Sequence, residues 1–104
     1  MIELERWDET RDGPLTEEAL REKLESSGYS VTRYVYPPGT TFGDHTHPMD
    51  KVDAVVSGRF RMGTPDGEVV LEAGDRLVVP AGTVHSAEVV GDEPVVSLDA
   101  VRAG

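Results

Sequence analysis

Apolar positions change their spacing and their kind near residue 28. Before it, Leu20 and Leu24 recur at a helical interval among charged residues, and Leu15 precedes them. Thr16 is a suitable N-cap, and Glu17 and Glu18 fall in the first turn, where the helix dipole favours negative charge. Leu15 before the cap and Leu20 inside it fit a hydrophobic staple, and Gly28 is a plausible terminator. This predicts a short amphipathic helix lying on the rest of the molecule.

After Gly28 the apolar runs are short and β-branched, and turn residues separate them. Predicted strands cover Tyr29–Tyr36, Val52–Val56, Arg59–Met62, Val69–Leu71, Leu77–Val79, Val84–Val90 and Val95–Val101. Pro37-Pro38-Gly39, Ser57-Gly58, Thr64-Pro65-Asp66-Gly67, Ala73-Gly74-Asp75, Pro80-Ala81-Gly82 and Gly91-Asp92-Glu93-Pro94 punctuate them. All fifteen Val lie at or after Val31, whereas four of the seven Leu lie in the first 24 residues. Since Leu favours helix and Val favours strand, the fold class is all-β, a sandwich or small barrel behind one short helix. The 104 residues make a single domain, with 1–28 as the N-terminal segment and 29–104 as the barrel.

Charge narrows the partners. Twenty acidic and ten basic residues give a net charge of −10. Such a domain is a poor nucleic-acid binder and is repelled by anionic membranes. No apolar run approaches the roughly 20 residues that span a bilayer. The opening MIELERWDET has neither the basic nor the apolar region of a signal peptide, so a cytoplasmic location is expected. Leu, Ile, Val and Phe number 25, enough for a charged chain to fold. With no cysteine, disulfides, thiolate metal sites and cysteine nucleophiles are excluded.

The chemistry concentrates in three histidines, His45, His47 and His85. On an extended strand, residues i and i+2 share a face, so His45 and His47 can reach one point, and His85 can converge from a later strand. Three imidazoles suit a divalent transition metal such as Fe, Zn, Ni or Mn. Read without their surroundings, they are equally polar residues near turns.

The glycines around them carry a resemblance to the cupins. In that family's first motif, Gly is followed after five residues by His-x-His, then by Glu and by a second Gly; Gly39, His45, His47 and Gly58 stand in that register. The second motif runs Gly, Pro-x-Gly, His, and Gly74, Pro80, Gly82 and His85 match it. The resemblance implies a double-stranded β-helix, or jelly-roll, barrel and a homodimer. It also implies a metal centre on His45, His47 and His85.

Two positions depart from the pattern. Lys51 stands where the family has its metal-binding Glu, and Val89 where it has Asn. A dipositive metal and an ammonium about 5 Å apart repel by roughly 6–7 kcal/mol at an effective dielectric near 20. So Lys51 turns away or pairs with Asp50 or Asp53, or it loses its proton, or a neighbouring carboxylate takes the ligand role, or no metal binds. A Lys51–Asp53 pair is the preferred expectation, because the two share a strand face. Lys51, Asp53, Phe60 and Met62 are the candidate contacts to a small-molecule ligand, with Tyr34, Tyr36 and Phe42 as further barrel-lining residues. Trp7 is expected to anchor the N-terminal segment. By resemblance, the function is a metalloenzyme, dioxygenase-like or isomerase/lyase-like, acting on a small and preferably anionic molecule. The alternative is a non-catalytic ligand-binding or sensor domain.

Overall fold

In a computed structural model, residues 3–102 are described. The strands are β1 (Glu3–Glu5), β2 (Tyr29–Tyr36), β3 (Thr41–His45), β4 (Lys51–Ser57), β5 (Arg59–Thr64), β6 (Gly67–Leu71), β7 (Arg76–Val79), β8 (His85–Val90) and β9 (Val95–Arg102). The helices are α1 (Glu9–Asp12) and α2 (Glu17–Ser26). The strands form two antiparallel sheets, one in the order β1-β7-β4-β9-β2 and the other β3-β8-β5-β6. Apart from the β5–β6 hairpin, every pair of neighbours is non-consecutive, and with the two sheets face to face this gives the expected jelly roll. No helix among the described residues is long and apolar enough to cross a membrane.

The central strands of the larger sheet, β7, β4 and β9, are buried on both faces. Val55, Leu77, Val79 and Val95 point between the sheets and meet Phe60, Met62, Leu71, Ala87 and Val89 of the smaller one. The alternate residues Val52, Ala54, Leu98 and Ala100 face outward against Leu20 and Leu24 of α2. This explains why β4 is buried at four successive positions, Val52 to Val55, instead of alternating. Burying both leucines completely keeps the helix docked, at roughly 1.5–3 kcal/mol each. The Thr16 side chain accepts from the Ala19 N–H at 3.0 Å, as a helix cap should.

The N-terminal segment is tied down before that helix begins. Trp7 Nε1–H donates to the Gly13 carbonyl at 2.9 Å. A Cβ at Gly74 (φ +88°) would meet Trp7 Cβ at 2.6 Å, so the glycine is needed both for its conformation and for the ring's approach. Strand β1 and helix α1 were not predicted. Glu3-Leu4-Glu5 has no strand signal of its own and becomes a strand by pairing with the edge of β7. Asp8 caps α1 by accepting from the Thr10 N–H at 2.9 Å.

Candidate metal centre and its cavity

Strand β3 delivers the first histidine through an irregularity. Phe42 pairs with Ala87 and His45 with His85, so β3 advances three residues while β8 advances two. One extra residue is a β-bulge, and it reverses the side-chain phase. Phe42 and His45, an odd number apart, therefore both face the space between the sheets. His47 lies beyond the end of β3, in the connection to β4. The expectation that simple strand alternation aligns His45 and His47 is thus corrected: the bulge sets one and the loop sets the other.

That loop is stitched to the one that presents His85. The Gly82 N–H donates to the His47 carbonyl at 2.9 Å. The Ala81 N–H donates to Asp50 Oδ1 at 2.8 Å, so Asp50 fastens the Pro80–Gly82 turn instead of entering the cavity. The three histidines consequently meet. Their candidate ligand atoms lie within 4.8 Å of one another, and the His45–His85 ring centroids are 4.2 Å apart.

The tautomers follow from the partners. His45 Nδ1 sits 2.7 Å from the Gly43 carbonyl and His85 Nδ1 sits 2.9 Å from the Thr83 carbonyl. A carbonyl only accepts, so each Nδ1 carries the hydrogen and each Nε2 keeps its lone pair. This is the outer support that metal-binding imidazoles usually have. Burial, first of all, holds both His47 and His85 below the ordinary value of 6.5, and the Lys51 charge pushes the same way. Imidazoles that present Nε2 lone pairs to one point fit a divalent transition metal.

The three histidines line a cavity of about 160 Å³. Tyr36, Phe42, Phe60, Met62 and Ala87 form its apolar wall, and Tyr36 and Phe42 pack edge to face at 5.0 Å. Lys51, Asp53, Ser97 and Asp99 form its polar wall. The expected ligand contacts Lys51, Asp53, Phe60 and Met62 therefore all line it. Tyr34 does not; it is 44% exposed and stacks on the outer side of Tyr36.

The preferred partner of Lys51 is corrected. Its Nζ donates to Asp99 Oδ2 at 2.8 Å, across the β4–β9 pairing, and not to Asp53. Asp53 shares the inward face as expected but is directly opposite Asp99. Burial, and then the neighbouring Asp99, push the Asp53 carboxyl up to about 6. Burial and the same two carboxylates push the Tyr36 phenol up to about 12, so it remains a hydrogen donor. Asp99 was missed from the sequence. Its one signal was parity: Val95, Ser97 and Asp99 fall on one face of β9, and Val96, Leu98 and Ala100 on the other.

The family model of the cupin domain matches residues 32–101. The chain belongs to the cupin family. A germin-like protein of Oryza sativa subsp. japonica is 34% identical over 83 residues, covering 74% of this chain and 39% of that protein. An uncharacterized double-stranded β-helix protein of Klebsiella pneumoniae subsp. pneumoniae superposes with a TM-score of 0.63 at 29% identity, over 74% of this chain and 69% of that one. The oxalate decarboxylase of Bacillus subtilis, with its Mn(II) centres, superposes with a TM-score of 0.64 at 28% identity, over 72% of this chain and 22% of that one. This cupin thus spans well under half the length of its germin-like relative and about a fifth of the decarboxylase.

Proposed function

We propose that this cupin is a small metalloenzyme that holds one divalent transition metal on His45, His47 and His85 and acts on a small anionic molecule. The observation that carries the reading is the pair of Nδ1–H donations to backbone carbonyls, which fix two Nε2 lone pairs in a cluster only 4.8 Å across. A metal there would supply Lewis acidity and positions for a ligand oxygen. Three neutral ligands would leave its dipositive charge uncompensated, which favours an anion. The chain's own residues supply the rest. Lys51 offers ammunition of the same sign through the N–H groups that Asp99 leaves free, and the aromatic wall excludes water from one side of the guest. The cavity is below the usual 300–1,000 Å³ of drug-sized sites, so the guest has few heavy atoms. Support from likeness is the oxalate decarboxylase, a manganese protein whose named substrate is a small carboxylate.

The test is metal per chain in untagged protein, before and after reconstitution, followed by turnover of small carboxylates, oxalate included. About one metal per chain, lost in His47→Ala, together with consumption of one of these acids, is expected. Absence of metal after reconstitution with Fe, Zn, Ni and Mn would overturn the reading. Saturable binding of an acid without turnover would favour the alternative, a ligand-binding or sensor domain.

A further inference from the structure

The polar wall contains an unbalanced account of hydrogen bonds. Asp99 Oδ2 accepts from Lys51, but Asp99 Oδ1 is buried and has no partner among the described residues. A buried carboxylate oxygen without a donor is rare and costly. The sheet register shows which side chains are placed to supply its donor. In the sheet register, Asp99 is directly opposite Asp53 on β4 and Thr32 on β2. Directly opposed side chains have Cβ atoms about 4.5–5.5 Å apart, within reach of a carboxyl-to-carboxyl hydrogen bond. Thr32 is exposed, whereas Asp53 is 92% buried on the cavity face and has no hydrogen-bonded partner of its own among the described residues.

We propose that Asp53 and Asp99 share one proton, carried by Asp53 and donated to Asp99 Oδ1, and that this unit positions Lys51 as the anion anchor of the cavity. Two ionised carboxylates facing each other in the core would have one ammonium between them. With one proton added, the unit Lys51–Asp99–Asp53 is neutral and every buried oxygen of Asp99 is satisfied. The titratable and charged groups that line the cavity with Asp53 are Lys51, Asp99, Tyr36, His45, His47 and His85. Of these, Lys51 and His45 oppose protonation of Asp53, while burial and Asp99 favour it and outweigh them. Below about pH 6, where Asp53 keeps the proton, Asp99 offers no free acceptor to a guest. The cavity then presents donors, the remaining Lys51 N–H groups and the Tyr36 hydroxyl, which select a carboxylate or similar oxyanion. That last consequence rests on the function proposed above; the shared proton does not.

The experiment is a carboxyl ¹³C NMR titration of metal-free protein, with the Asp53 resonance assigned by its loss in Asp53→Asn. In that variant the amide N–H still donates to Asp99, so folding is preserved. The Asp53 carboxyl is expected to titrate near or above pH 6, and the Asp99 resonance is expected to shift with the same midpoint. Asp99→Asn should lower the Asp53 midpoint by at least one pH unit. An Asp53 midpoint below pH 5 would overturn the proposal, as would an Asp99 resonance that ignores the Asp53 titration. Both decisive readings come from the wild-type chain, so a poorly folding Asp99→Asn leaves the answer intact. Because no metal is present, failure here is distinct from failure of the metal centre.

Discussion

Asp53→Asn should change how stability depends on pH more than it changes stability itself. Asp53 is 8% exposed, and its carboxyl is pushed from an ordinary 3.8 to about 6. Below 3.8 the folded and unfolded chains both keep the proton, and the acid form sits in the core without a charge. Between the two values the folded chain binds the proton and the unfolded chain does not, so wild-type stability falls as pH rises through this window. A separation of about two pH units corresponds to about 3 kcal/mol in total. Asparagine has the same shape, retains donors and cannot ionise. The assay is urea denaturation of both proteins in chelator at intervals from about pH 4 to pH 8, taking the difference at each pH so that other titrating groups cancel. The variant should gain on the wild type by about 2.5 kcal/mol across this range, with most of the change complete by pH 7. Two parallel curves, within about 0.5 kcal/mol of each other's slope throughout, would refute the assignment of a buried, proton-binding Asp53.

Gly58 adopts φ +86°, and a Cβ there would lie 2.3 Å from the Pro94 carbonyl oxygen. Gly58→Ala should cost about 3 kcal/mol or more in chemical denaturation, since left-handed strain adds to a clash with fixed backbone; a loss under about 1 kcal/mol would contradict this. Burial holds His47 and His85 below 6.5, so they stay neutral to a lower pH than free imidazole. Metal affinity by calorimetry should therefore persist at pH 6.5 and fall only below it, and a midpoint above pH 7 would count against these ligands. Strand β2 is at the edge of its sheet and Val35 on it is 50% exposed. A homodimer through that edge predicts twice the monomer mass in light scattering, and a return to monomer in Val35→Lys.

The strands were legible where local pattern decides them. Tyr29–Tyr36 forms with the bounds its β-branched and aromatic run predicts, and Thr16 caps the helix that Leu20 and Leu24 dock. What escaped is what another part of the chain imposes. β1 exists because β7 offers an edge, and the bulge before His45 arises only as β3 accommodates β8. The metal-ligand candidates were legible because a short motif spacing fixes them. The counter-ion of Lys51 was not, because Asp99 lies 48 residues away and no local rule connects the two.

Lys51 shows how the site tolerates a cation where the family has an acid. The anionic group is still in the cavity, one strand over, on β9 at Asp99, and the ammonium is held against it at 2.8 Å. If the histidines bind metal in spite of Lys51 because Asp99 restrains it, then exchanging the two charges should help the metal. Lys51→Glu with Asp99→Lys keeps an ion pair across β4 and β9 and keeps the net charge of the wall. It also puts a carboxylate at the position from which the motif supplies a fourth ligand. Metal should bind at least about tenfold tighter, about 1.4 kcal/mol, by competition with a chelator. Lys51→Glu alone would set three carboxyl groups together on the wall, so the metal-free protein should be destabilised and metal should restore most of the loss. Equal affinity in the exchanged variant and the wild type would mean that position 51 does not face the metal, and that the charge at the head of β4 serves the guest alone.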